Sequence, residues 1–238
     1  MYSEVSGAMH SDFDNLPYEL GGRTLGLVMA AGFSRRFGGV DKRTLRLADG
    51  VGLLEHTLAQ LRPVFTDTSG ASLLAVVIRP DDCPTALGIP DDCHIVRAPN
   101  ARCGLGASIS DGMTAVREMS FIRDIDSVAI LLGDMPALQP AILTKLLKLS
   151  ANDAIVRPRF NMQCGHPVVF GRKFWPALYG LTGDEGARQV IAANVSALTV
   201  VDVDDPGTLL DIDTRGAFDR HWQGNAGMTS NLFPAAQD

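Results

Sequence analysis

The sequence predicts an α/β sandwich of three layers, a mostly parallel central sheet with helices on both faces. Three observations predict it. Short apolar runs alternate with amphipathic stretches along most of the chain. The run SVAILLG, residues 127–133, is apolar on both faces, as a central strand of a parallel sheet requires. Glycine-bearing loops follow several of the apolar runs, at the strand ends where such a sheet receives its ligands.

Taken in chain order, strands are expected over 25–30, 73–79, 94–97, 127–132, 154–157, 167–170 and 198–202. Helical patterns lie between them in GLLEHTLAQLRPVF, LGASISDGMTAVREM, PAILTKLLKLS and GARQVIAANV. In the third pattern Ile142, Leu146 and Leu149 recur at helical spacing, with Lys145 and Lys148 on the other side. No repeat, low-complexity tract or linker interrupts the alternation. A single domain over 23–222 is therefore expected, flanked by a flexible leader over 1–22 and a tail over 223–238.

A chain of 238 residues with 46% hydrophobic and 20% charged residues can bury a substantial core. Its net charge of −6 argues against a nucleic-acid binder, which would be basic. No apolar run reaches the roughly 20 residues of a membrane span, and the N-terminus lacks the pattern of a secretory signal. The four cysteines form no CxxC pair. They read as reduced thiols of a cytoplasmic protein without nucleic-acid or membrane partners.

The first loop to read closely is LGLVMAAGFSRRFGGVDK, residues 25–42. A strand running into Ala30, Ala31 and Gly32 brings bare backbone to the ligand edge, where small residues let a nucleotide approach main-chain N–H groups. Ser34 follows, and Arg36 and Lys42 add charge for a phosphate chain. The loop is neither GxxxxGK[ST] nor GxGxxG, and a glycine-rich turn with solvated cations is the plainer alternative. The second loop, AILLGDMPAL, delivers Asp134 at a strand end, either as a Mg²⁺ ligand or as the cap of a helix whose start Pro136 marks. In the third, PNARCGLGASISDGM, Gly104 and Gly106 precede Ser108 at a helix start. Further on stand Gly165 and His166 in GHPVVF, Arg188 in LTGDEGARQVI, and Asp211 and Asp213 in LLDIDTRGAF. As strand residues the last two carboxylates would share a face and repel each other unless a cation lies between them.

In this order the pieces resemble the nucleotidyltransferase superfamily of GT-A-type, Rossmann-like fold, also described as nucleotide-diphospho-sugar transferase-like. Within it they are most similar to the molybdopterin nucleotidyltransferases. VMAAGFSRRFGGVDK resembles the family's opening signature with Phe37 in place of methionine, and GDMP resembles its magnesium motif. AAG, GHPVVF, GDEGAR and DIDT resemble the cytidylyltransferase branch, whereas GGVDK is closer to the guanylyltransferase version. Thr214 is followed by Arg215-Gly216-Ala217 rather than the family's Pro-Glu-Asp, and RTLRLADGVGLLEH after Lys42 is more polar than the usual LLPLxGxPLLEH.

The resemblance implies transfer of a nucleotidyl group from an NTP, CTP ahead of GTP, to a terminal phosphate, releasing pyrophosphate. It implies Ala30, Ala31, Gly32 and Ser34, with Gly104, Gly106 and Ser108, against the nucleotide. Arg36 and Lys42 would meet the triphosphate, Asp134 with Asp211 or Asp213 would hold Mg²⁺, and Gly165, His166 and Arg188 would face the acceptor. That acceptor is expected to be molybdopterin, with a target molybdoenzyme as the downstream partner. Two alternatives stand beside this: a nucleotidyltransferase acting on a sugar or alditol phosphate, and a non-catalytic accessory protein of a molybdoenzyme.

Overall fold

The computed structural model describes residues 23–34, 37, 40–212 and 218–219. The expected leader and tail lie outside the described residues, as do Arg36 and Asp213. The described strands are β1 (Thr24–Met29), β2 (Leu74–Ile78), β3 (His94–Arg97), β4 (Ser127–Leu132), β5 (Ile155–Phe160), β6 (Gln163–Cys164), β7 (Val168–Gly171) and β8 (Leu198–Asp202). They form one sheet in the order β3-β2-β1-β4-β7-β5-β6, with β8 also paired to β5. The helices are α1 (Leu53–Leu61), α2 (Leu105–Val116), α3 (Pro140–Leu147), α4 (Trp175–Tyr179) and α5 (Arg188–Ala193).

The centre of the sheet follows from its sequence. TLGLVM is buried at every position of β1, which is hydrogen-bonded on both sides, to β2 and to β4. Leu25, Leu27 and Val28 are wholly buried, and each such side chain contributes about 1.5–3 kcal/mol of transfer free energy. Alternation along β1 sends Leu27 to one face, where Gly112 of α2 packs against it and against Val77. Gly26 looks to the other face, where the ring of Phe65, beyond α1, closes over it. Both faces are thus covered and the layers number three, as expected.

Parallel pairing joins β3, β2, β1 and β4, and also β5 and β8. Antiparallel β7 is inserted between β4 and β5. The reversal matters for the site. At the edge where β1, β2, β3, β4, β5 and β8 finish, β7 begins, so Gly165 and His166 reach the ligand edge from before their strand rather than after it.

Some expectations are corrected. The sequence pattern does not signal β6, a two-residue return strand reached through Asn161 and Met162, both with φ in the left-handed region. Nor does it signal α4, whose five residues are too few to show a period. Helix α3 begins at Pro140, not near Pro136, and Gln139 is its N-cap. Its buried residues are Leu143 and Leu146, while Leu149 is exposed. The helix is therefore rotated by about one residue from the face expected. Asp211 lies in a loop beyond β8, not in a strand.

Candidate active site

The loops gathered at the carboxyl edge enclose two adjoining cavities. The first, of about 480 Å³, is lined by Ala30, Ala31, Gly32 and Ser34 on one side and by Gly104 and Ser108 on another; Lys42, Asp134 and Asp211 complete it. Its size and polarity suit a nucleotide, whose charge must be met by fixed donors. Gly32 has open space where a side chain would be, so the backbone there is approachable. Ser34 takes φ of 50°, and its hydroxyl accepts a hydrogen bond from the Lys42 amide at 3.1 Å, which joins the two ends of the opening loop.

Lys42 crosses the cavity. Its ammonium pairs with the Asp134 carboxylate and donates to the Ile212 carbonyl at 3.1 Å. Gly133 makes the approach of the two loops possible: its N–H bonds to the Met29 carbonyl at 3.1 Å, and a Cβ there would press on Leu54 at 2.9 Å. Asp134 does not cap α3, so the helix-cap alternative is removed.

The second cavity, of about 420 Å³, holds His166, Arg157 and Arg188 against an apolar wall that includes Ile109, Ile130, Met135 and Phe170. Gly165 lines it too, and could not be another residue: a Cβ would stand 2.2 Å from the Thr208 carbonyl, the group that accepts from the His166 amide at 2.9 Å. The His166 imidazole is pushed down to about 4, chiefly by burial and then by the positive Arg157 and Arg188, against the opposing effect of a bond to the Ile130 carbonyl. It is neutral near pH 7, and its Nδ1 has no partner among the described residues. A neutral, buried ring can position a substrate by hydrogen bonding but makes a poor general base.

Leu105, Leu132, Asp184 and Asp211 line both cavities, which makes them the seam between the two. The glycines of the third loop are explained by this seam. Gly104 has φ of 110°, and a Cβ on it would fall 2.1 Å from Asp184 Oδ1. Gly106 lines neither cavity; its N–H bonds to the Gly183 carbonyl at 2.8 Å, and its missing side chain lets the Thr182–Gly183 backbone come close. Ser108 donates to the Gly104 carbonyl at 3.1 Å while its oxygen remains on the cavity wall.

The structure thus brings together Ala30, Ala31, Gly32, Ser34, Lys42, Gly104, Ser108, Asp134 and Asp211 in one cavity, and Gly165, His166 and Arg188 with Asp211 in the other. Arg157 and Asp184 escaped the sequence reading. A cation inside the otherwise apolar run AIVRP was the available signal for the first, and the acidic pair of GDEGAR for the second. Arg43, which reads in the sequence as one more loop cation, is buried and committed to Asp41 and Asp82. All four cysteines are free thiols, and among the described residues no helix is long and apolar enough to cross a membrane.

Comparison with known proteins agrees with this geometry. The MobA-like NTP transferase domain matches residues 26–198. The purine catabolism protein PucB of Bacillus subtilis (strain 168) is 33% identical over 121 residues, 50% of this chain and 57% of that relative. The chain thus spans little more than half the length of that relative. Rv0371c from Mycobacterium tuberculosis H37Rv has a similar fold, with a TM-score of 0.71 at 24% identity over 85% of this chain and 98% of its own. Mth528, a nucleotidyl transferase from Methanothermobacter, gives 0.68 at 22% identity over 86% of this chain and 98% of its own. The family match runs from β1 to the first residue of β8 and takes in nearly all the loops of both cavities, and the chain belongs to the MobA-like NTP transferase domain family.

Proposed function

We propose that this enzyme transfers a nucleoside monophosphate, CMP in preference to GMP, from its triphosphate to the terminal phosphate of molybdopterin. The observation that carries the reading is the pair of cavities joined at Asp184 and Asp211. One has a cation and a carboxylate at its floor, and the other combines two arginines with an apolar wall. A planar, partly apolar acceptor bearing a phosphate fits the second cavity better than a sugar or alditol phosphate, which would leave that wall wet. The Ala31-Gly32 step and the GHP sequence favour the cytidylyl branch. The product would be a nucleotide form of the cofactor for a molybdoenzyme.

In this reading an oxygen of the acceptor phosphate attacks the α-phosphorus. The new P–O bond forms as the α–β bridging bond breaks, and its electron pair leaves with pyrophosphate. The acceptor is already an anion, so no side chain needs to be activated as a nucleophile; alignment and charge neutralisation carry the catalysis. Lys42 meets the triphosphate, the amides of the Ala31–Ser34 backbone approach its oxygens, and Arg157 and Arg188 hold the acceptor phosphate in line. His166 helps to orient the acceptor as a neutral ring on the wall of the second cavity. Asp134, Asp184 and Asp211 are the described carboxylates on the first cavity, of which Asp134 and Asp211 would hold the metal, and no cluster of three metal-binding side chains is gathered among the described residues. Such a sparse set fits Mg²⁺, which keeps several waters and takes its other ligands from phosphates. Bound there, Mg²⁺ supplies charge neutralisation on the phosphate oxygens.

The test is pyrophosphate release with CTP, GTP, UTP and ATP, each with and without Mg²⁺, offered molybdopterin or an alditol phosphate. Release that needs CTP, Mg²⁺ and molybdopterin together is expected. Turnover with the alditol phosphate alone would replace the acceptor assignment.

A further inference from the structure

Three consecutive carbonyl groups of the opening loop are held from one side by two arginines. Arg43 Nη1 donates to the Ala30 carbonyl at 2.8 Å. Arg79 Nε donates to the Ala31 carbonyl at 3.4 Å, and Arg79 Nη2 donates to that of Gly32. In a trans peptide the carbonyl and the next residue's N–H point in opposite directions. Holding these three carbonyls therefore turns the N–H groups of Ala31, Gly32 and Phe33 away from the arginines.

The clamp is itself braced. All five N–H groups of Arg43 are engaged: Nε with Asp41 at 2.9 Å, Nη1 with Ala30 and with Asp82 at 2.5 Å, and Nη2 with Asp41 at 2.6 Å and Asp82 at 2.8 Å. Asp82 also accepts from the Arg79 amide at 2.8 Å, and Asp41 from Arg79 Nη1 at 3.2 Å. Each carboxylate thus ties one arginine to the other. Burial pushes the carboxyls of Asp41 and Asp82 up, but the bonds and charge of Arg43 outweigh it and hold both below the ordinary carboxylate range. The ring of Phe33 meets the guanidinium of Arg79 at 4.5 Å and that of Arg102 at 4.7 Å from its centroid, which holds the next residue of the loop as well.

Only a planar fork can do this. A lysine would offer one point charge where Arg43 supplies five directed donors. Arg43 also stands directly after Lys42, in the segment where the resembling family pattern is apolar, so the clamp is a feature of this chain's own residues. We propose that Arg43 and Arg79 are positioning residues that fix three peptide planes of the opening loop and present their N–H groups to the nucleotide. The inference rests on the reading of the first cavity as the nucleotide site.

Arg79 carries the test, because removing Arg43 would take the guanidinium from Asp82 and leave Asp41 with Arg79 alone, which endangers the fold. Arg79→Met keeps an apolar arm against Phe33 and removes the donors to Ala31 and Gly32. Amide hydrogen exchange of residues 31–33 in the full chain, and titration with Mg·CTP and Mg·GTP, are measured alongside melting. The expected result is faster exchange at 31–33, nucleotide affinity weakened about 10- to 100-fold, and an acceptor KM within about 2-fold, with melting close to wild type. Arg79→Lys should restore little of the affinity. Unchanged exchange and affinity in Arg79→Met would overturn the proposal while leaving the nucleotide reading intact. A wild-type protein that binds neither triphosphate would overturn the nucleotide reading and, with it, the positioning role; the exchange result would then report on the clamp alone.

Discussion

Lys42 and Asp134, 92 residues apart in sequence, form an ion pair across the first cavity, each side chain 15% exposed. The two residues proposed for the triphosphate and the metal neutralise each other. Binding of a metal–nucleotide complex then exchanges one pair for two: the ammonium meets phosphate and the carboxylate meets the divalent ion. The site avoids holding either charge alone in a partly dry cleft, which would cost more than the pair.

Asp134→Asn should still fold, since the amide keeps the shape and an oxygen for the Lys42 ammonium, with melting lowered by the loss of charge opposite that ammonium in a largely covered site. Turnover should fall by about two to three orders of magnitude, and excess Mg²⁺ should restore little of it. Steady-state pyrophosphate release together with a melting curve checks this. Activity within a few-fold of wild type would end the metal assignment. Lys42→Ala should weaken triphosphate binding and turnover while leaving the fold intact.

Two glycine substitutions should separate ligand approach from folding. Gly32→Ala adds a methyl to open space at a position without positive φ, so melting should hardly change. Nucleotide affinity should nonetheless drop, because the methyl occupies the line of approach to the backbone; about 10-fold is the scale of a methyl-sized misfit. Gly104→Ala meets Asp184 and the Gly183 backbone at φ of 110° and should cost about 3 kcal/mol of stability. Thermal melts and Mg·CTP titrations of both variants decide the matter.

His166 makes the fold sensitive to acid. Its ordinary value of 6.5 is lowered to about 4 in the folded chain, so between these values the unfolded state binds the extra proton and stability falls as pH falls. The loss across that window is on the order of 3 kcal/mol. His56, also lowered by burial, acts in the same direction. His166→Gln should therefore flatten the decline of melting temperature from pH 6.5 to pH 4 without abolishing it. An unchanged slope would show that the ring is not held neutral.

Ala31→Gly should shift preference from CTP towards GTP, since the guanylyl form of the opening signature carries two glycines there. One methyl discriminates by only about 1–3 kcal/mol, so the shift is partial. The ratio of kcat/KM for the two triphosphates measures it, and an unmoved ratio would locate base choice elsewhere, for example near Gly104 and Ser108.

The parallel half of the sheet and the loops that follow its strands were legible because burial on two faces leaves continuous apolar runs, and because small residues must stand where backbone meets ligand. Lys42 and Asp134 could each be picked out, but not their pairing, which depends on Gly133 admitting one loop to the other. The commitment of Arg43 to Asp41 and Asp82 is not legible, because a cation beside glycines looks the same in sequence whether it is free for a ligand or held by two carboxylates. Gly106 was misjudged for the converse reason: absence of a side chain marks close approach, here to Gly183, without naming what approaches. β6 and α4 were too short to carry a period.

The insertion of β7 in the reverse direction has a consequence for how such a chain can diversify. Most of the first cavity's wall comes from residues before α3, and most of the second's from residues 157–211. The two halves meet at β4 and β7 and exchange a limited set of side chains: Leu105, Ile109, Ile130, Leu132 and Met135 in one direction, and Asp184 and Asp211 in the other. Recombination near residue 150 could therefore transplant one acceptor preference onto another donor preference, provided those seven residues travel as a matched set.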